Sequence, residues 1–251
     1  MKKKRTVLVI GLICLMLIFF IDIKVLANPS ASIDISLGET PKEYVSNIKL
    51  MIFLTILTLL PSFLIMMTCF TRIAVVLSFF KSAIGAQQSI PSQILVGLAL
   101  FITIFIMAPI VGDINQNALN PYMEGKITQE EAIEKGSKPI REFMLKETRK
   151  KDLELFVEMS NINKEELTRD NIPLTTVVPA FIISELKTAF EIGFLIYIPF
   201  LVIDMVVASV LMSMGMFMLP PAMISLPFKL ILFVMVDGWY LLVKSLVQSF
   251  M

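Results

Sequence analysis

Four apolar blocks, separated by two short connections and one long polar stretch, leave this chain few ways to fold. They run from about residue 48 to 80, 90 to 111, 177 to 219 and 224 to 247. Each exceeds the length of about 18 residues at which an apolar run is read as able to cross a bilayer. Overall the chain is 56% hydrophobic and only 17% charged, outside the usual range of soluble domains. The reading is an all-α integral membrane protein.

Two of the blocks are too long for that pattern. At about 33 and 43 residues, the first and third would make helices of about 50 and 65 Å at 1.5 Å per residue. The hydrocarbon core is about 30 Å thick, and tilt does not absorb the excess. Each block is expected to bend into a kinked hairpin or to extend beyond the bilayer. Pro61 and Pro199 are the natural kink sites, because proline removes a backbone donor and clashes with the preceding turn.

Charges inside the blocks point the same way. Arg72, Glu185, Lys187, Glu191, Asp204, Lys229 and Asp237 all lie within apolar runs or at their edges. A charge at the centre of a membrane helix costs about 2.5–3.5 kcal/mol on insertion scales, so such residues are expected to face protein or water. Ser184, Lys187, Thr188 and Glu191 follow the i, i+3, i+4, i+7 spacing of one helix face. With Glu185 they form a candidate buried polar stripe, either a subunit contact or a water-lined wall, with a proton relay as the alternative. Lys187 and Glu191 can pair across one turn. Ala189-xxx-Gly193 and Ser209-xxx-Ser213 would let helices approach closely.

The segment Met212-Ser-Met-Gly-Met-Phe-Met-Leu-Pro-Pro221 cannot continue as a regular helix beyond Leu219. Its methionines are flexible and polarizable, and pack against varied surfaces. A ring of such side chains can close a pore to water yet deform around a passing polypeptide, as hydrophobic constrictions do. Met214, Met216, Phe217 and Met218 are the candidate gate; lipid-facing filler before a turn is the plainer alternative.

The ends and the polar stretch complete the plan. Lys2, Lys3, Lys4 and Arg5 followed by the apolar run Val7–Ile21 look like a secretory signal, residues 1–27, cleaved between Ala27 and Asn28. An uncleaved first helix is the alternative. Residues 28–47 read as an exposed outer segment. A first helical hairpin, 48–111, carries Arg72 and Lys81 near its connection, which favours a cytoplasmic turn. Residues 112–176 then form an extracytoplasmic helical domain, with helix starts at Thr128-x-x-Glu131 and Asn163-x-x-Glu166. Its charge-rich Glu147–Glu154 segment reads as a solvated face, with a partner-binding surface as the alternative. Residues 177–251 form a second hairpin that carries the methionine-rich loop.

Several chemistries are excluded. There is no histidine, and Cys14 and Cys69 lie far apart in apolar surroundings. No metal, nucleophile or redox constellation follows from these residues, and no cofactor is implied. A net charge of +1 argues against a nucleic-acid partner. Asp204 and Asp237 share no helix face on which to form a catalytic dyad, so an enzyme is not expected. A conduit for unfolded protein is the leading reading, with an ion or proton channel as the competitor.

Several stretches carry a family resemblance: Phe70-Thr-Arg-Ile73, Gly97-Leu-Ala-Leu-Phe101 with Met107-Ala-Pro109, and Tyr197-Ile-Pro-Phe-Leu-Val-Ile-Asp204-Met-Val-Val-Ala-Ser209. The loop ending Leu219-Pro-Pro221, Leu226-Pro-Phe-Lys229 and Val236-Asp-Gly-Trp239 belong to the same set. Together they resemble the FliP family of flagellar export-gate proteins from about Ile48 to Met251. The resemblance implies a homopentamer that joins FliQ and FliR in a helical channel oligomer and works with FlhA and FlhB. Unfolded export substrates would pass through it, across the bacterial inner membrane at the flagellar basal body. It implies that the methionine loop seals the pore, although Phe217 stands where several relatives carry methionine. It also implies an ion pair between Asp204 and Lys229 of neighbouring protomers. The injectisome branch shares this plan, and the leader here favours the flagellar branch.

Overall fold

The computed structural model describes residues 41–86, 89–160 and 172–250. The signal segment, its Ala27–Asn28 cleavage site, the outer segment up to residue 40 and the cap at Asn163–Glu166 lie outside the described residues. Among the described residues every regular element is helical. Helix α1 spans Pro41–Met66, α2 Phe70–Ile84 and α3 Ser92–Ile114. A single π turn, Asn115–Leu119, carries α3 on into α4, Asn120–Met123. The polar stretch supplies α5, Gln129–Glu147, and α6, Lys150–Met159. The chain then enters α7, Leu174–Ser213, and finishes with α8, Pro221–Met235, and α9, Gly238–Gln248.

Two of these runs are long and apolar enough to cross a membrane: Ser92–Met123 and the 40-residue α7. Helices α8 and α9 pass the same test as a pair, bent by 65° at Val236–Asp237. Asp237 has φ 51° there, in the left-handed region that non-glycine residues rarely enter. Gly238 follows because a Cβ would lie only 2.1 Å from the Phe233 ring. The bend is built into these two residues.

Residues 57–251 form one compact unit, and α2 is its centre. Ile73, Val76, Leu77, Phe80 and Ile84 fall at helical spacing and are almost fully buried. Across from them α7 presents Val177, Ala180, Phe181, Ser184 and Ala189, also buried at helical spacing. Gly193 lets the two helices touch, since a Cβ there would come within 2.7 Å of the Phe79 ring. Phe80 is further held between Phe233 and Trp239, at 4.8 and 5.0 Å between ring centroids. A side chain of that size contributes about 1.5–3 kcal/mol when fully buried. Helices α5 and α6 pack on the first half of α7, and α8 folds back along its second half.

The breaks between helices in the first and third blocks do not fall at Pro61 or Pro199. Pro61 lies inside α1, and the first block divides instead at residues 67–69. There Thr68 Oγ1 donates to the Ile65 carbonyl at 2.8 Å and accepts from the Phe70 N–H at 3.3 Å. This threonine competes with the helix for its own backbone groups. Pro199 likewise sits within an unbroken α7. At 1.5 Å per residue α7 is about 60 Å long, so the third block extends beyond a bilayer's thickness rather than folding back as a hairpin. In the polar stretch the Thr128 capping box is present in full: Glu131 N–H donates to Thr128 Oγ1, and Thr128 N–H to Glu131 Oε2, each at 3.3 Å.

Candidate functional site

Helix α7 ends in a Schellman motif. Gly215, at φ 78°, donates its N–H to the Met212 carbonyl at 3.1 Å, and Met216 N–H donates to Leu211 at 3.0 Å. Only glycine takes that backbone conformation at no cost. The double proline then starts α8, where a missing N–H does no harm. These two devices make a tight turn, and its side chains point outward. Met214, Met216, Phe217 and Met218 are 63%, 44%, 76% and 98% exposed.

Below the turn α7 and α8 are clasped. Lys229 Nζ donates to Asp204 Oδ2 at 2.7 Å and to the Ala83 carbonyl, the last turn of α2, at 3.1 Å. Ser225 Oγ donates to the other Asp204 oxygen. The family resemblance implies this pair between neighbouring protomers; within the one chain described, Asp204 and Lys229 meet each other. Asp204 stands twelve residues before Met216 and Lys229 twelve after Phe217. An antiparallel hairpin turning at 216–217 therefore sets them opposite one another, and that symmetry was present in the sequence. Lys229 is buried, whereas the Asp204 side chain keeps 31% of its surface open.

At the other end of the bundle Arg72 is sealed. Its Nε donates to Glu185 Oε2 at 2.9 Å, and its Nη2 to the second Glu185 oxygen and, at 2.8 Å, to Glu147 Oε2. Its Nη1 donates to the Ser249 carbonyl at 3.1 Å and to Ser249 Oγ at 3.2 Å, and its plane lies 3.9 Å from the Phe250 ring centre. All five guanidinium donors thus have acceptors drawn from three other helices or their ends. The buried polar stripe divides here: Glu185 is buried, while Lys187 and Glu191 are exposed and pair with each other at 3.3 Å. The 3.6-residue turn explains the split, since Glu185 faces α2 and Lys187 is rotated by about 200° away from it.

The Glu147–Glu154 segment is also not wholly a solvated face. Glu147 reaches Arg72, and Asp152 is buried against α7. Ser184 Oγ donates to Asp152 Oδ2 at 2.6 Å and accepts the Arg149 N–H at 3.0 Å; Arg149 Nε donates to the same carboxylate at 2.8 Å. Burial pushes the Asp152 carboxyl up, but the bonds from Ser184 and Arg149 outweigh it and hold the group below the usual aspartate range. Glu147, Arg149 and Asp152 were missed as site residues because surface helices carry many such charges. The available signal was Arg72, a lone base in an apolar block, which demanded acidic partners.

Among the described residues no group of three or more metal-ligating side chains comes together. Arg72 is paired with Glu185 and Lys229 with Asp204, and between the arms that the second pair joins stands an exposed, apolar, deformable turn. Such a surface acts by packing.

Residues 53–246 match the model of the FliP family. The chain is 60% identical to the flagellar biosynthetic protein FliP of Bacillus subtilis (strain 168), over 87% of this chain and 98% of that protein. It is 52% identical to the same-named protein of Aquifex aeolicus (strain VF5), over 87% and 91%. With that of Cereibacter sphaeroides it shares 45% identity, over 87% and 72%. A family match across most of the chain, with relatives of this similarity, settles the matter: the chain belongs to the FliP family.

Proposed function

We propose that this chain is a core export-gate subunit of the flagellar protein-export apparatus, conducting unfolded flagellar proteins across the bacterial inner membrane. The observation that carries the reading is the Met214–Met218 turn: apolar, exposed and held at the tip of a clasped hairpin. Its side chains can exclude water when packed together and yield when a polypeptide enters. The relatives' flagellar names support the flagellar over the injectisome branch.

On this reading several copies, five by family resemblance, surround one path and place Met216, Phe217 and Met218 at its constriction. FliQ and FliR complete the channel, and FlhA and FlhB work with it. The polar helices α5 and α6 lie on the extracytoplasmic side, and energy comes from partners rather than from residues of this chain. The exposed Lys187–Glu191 pair and the outward apolar face of α7 are available to neighbouring subunits.

Single cysteines at positions 216, 217 and 218 test the proposal, in cells carrying an export substrate stalled in transit. Substrate crosslinks at these positions are expected, with none at Lys187. Absence of substrate contact at all three positions overturns the gate assignment.

A further inference from the structure

The polar helices are tied to α7 through Arg72 and Ser184, and a second set of contacts, which shares Arg72, ties them to the other arm of the hairpin. Phe250, just beyond α9, is buried against Phe143 of α5, with stacked rings 6.4 Å apart. Lys146 Nζ, also on α5, donates to the Phe250 carbonyl at 3.1 Å. Arg72 takes the Ser249 carbonyl and hydroxyl and stacks on the Phe250 ring. The Ser249 and Phe250 carbonyls thus meet two cations from different helices. The Ser249 carbonyl, at the C-cap of α9, carries the partial negative charge of a helix C-terminus, which a cation stabilises.

We propose that Ser249–Phe250 is a strap: it locks the end of α9 to the polar helices, with Arg72 and Lys146 as its paired receptors. The strap goes beyond the export reading and does not depend on it. It gives the loop-bearing hairpin a second anchor. The first arm, α7, is held through Glu185 and Ser184; the second, α8–α9, is held through Phe250. Both anchors converge where α5 passes into α6, so a movement of the polar helices acts on both arms together.

Hydrogen exchange of the full chain in detergent micelles tests this with Phe250→Ala, Lys146→Ala and the double variant. Loss of the ring and its cation contact in Phe250→Ala is expected to speed exchange by about five- to thirtyfold. The affected amides are Ser249 at the strap and Thr148 and Arg149 at the α5–α6 joint, with the middle of α3 unchanged. Lys146→Ala removes one part-buried hydrogen bond and should accelerate the same amides by a smaller factor, about two- to tenfold. The double variant should match Phe250→Ala alone, because both changes open one latch. Unchanged exchange at the α5–α6 joint, acceleration spread evenly over all helices, or additive effects in the double variant would each overturn the strap. Should Phe250→Ala fail to fold, Lys146→Ala carries the same test, because it leaves the core intact.

Discussion

The bundle holds two cation–carboxylate sites that look alike in sequence and differ in structure. Arg72 and Glu185 are both buried, and the guanidinium spends every donor on protein acceptors. Lys229 is buried too, but its partner Asp204 remains partly open and shares a second bond with Ser225. The first site joins four parts of the chain separated by up to 177 residues; the second joins the two arms of one hairpin and, through the Ala83 carbonyl, the end of α2. A fork-shaped, delocalised cation suits the many-partner site, whereas a point charge suits the clasp. The difference separates a lock of the fold from a brace of the functional turn.

The largest expected effect falls on the lock. Arg72→Ala leaves Glu185 buried without a counter-charge and should cost about 3–5 kcal/mol, read as a lowered unfolding midpoint in detergent. Arg72→Lys should recover only part of this, because one ammonium cannot reproduce the fork. Full recovery by lysine would erase the contrast between the sites. Asp204→Asn comes next, at about 1.5–3 kcal/mol, because Lys229 keeps the Ala83 carbonyl. Exchanging the charges, Asp204→Lys with Lys229→Asp, should restore part of the loss within a single chain. Restoration seen only in the oligomer would mean that the pair acts between subunits after all.

A smaller effect concerns Asp152. Its carboxyl is held below the usual range, so it contributes stability above the unfolded aspartate value, and this is lost as pH falls through the lower folded value. Acid unfolding should therefore begin at higher pH in Ser184→Ala, which removes one of the bonds that hold the carboxylate. An unshifted acid limb would place the acid sensitivity elsewhere. The smallest effect is at Lys187: the exposed pair with Glu191 is worth about 0.2–1 kcal/mol at most, so Lys187→Ala should barely move the midpoint. A clear loss of assembly with unchanged stability would mark that pair as a subunit contact.

Much of this was legible before any coordinates. Apolar runs of membrane length fold as helices for want of other backbone partners, and Thr128–Glu131 announced its cap through local chemistry alone. The glycine and double proline around Met216 predicted the turn, because both act through the backbone of a few neighbouring residues. Pro61 and Pro199 do not divide their blocks, since a proline can perturb a long helix without ending it. Thr68, with an unremarkable hydroxyl, is what stands at the break.

What the sequence by itself determined is the set of helices, the position of the methionine turn and the presence of charges that had to be paired. Those follow from interactions within a few residues or from hydropathy summed over a block. The pairing itself was decided by the tertiary structure: Arg72 meets Glu185 across 113 positions and Ser249 across 177. Asp152 is buried because Ser184 of α7 reaches it. Charge partners at such distances are chosen by how helices pack, and only the packed bundle shows which carboxylate each cation finds.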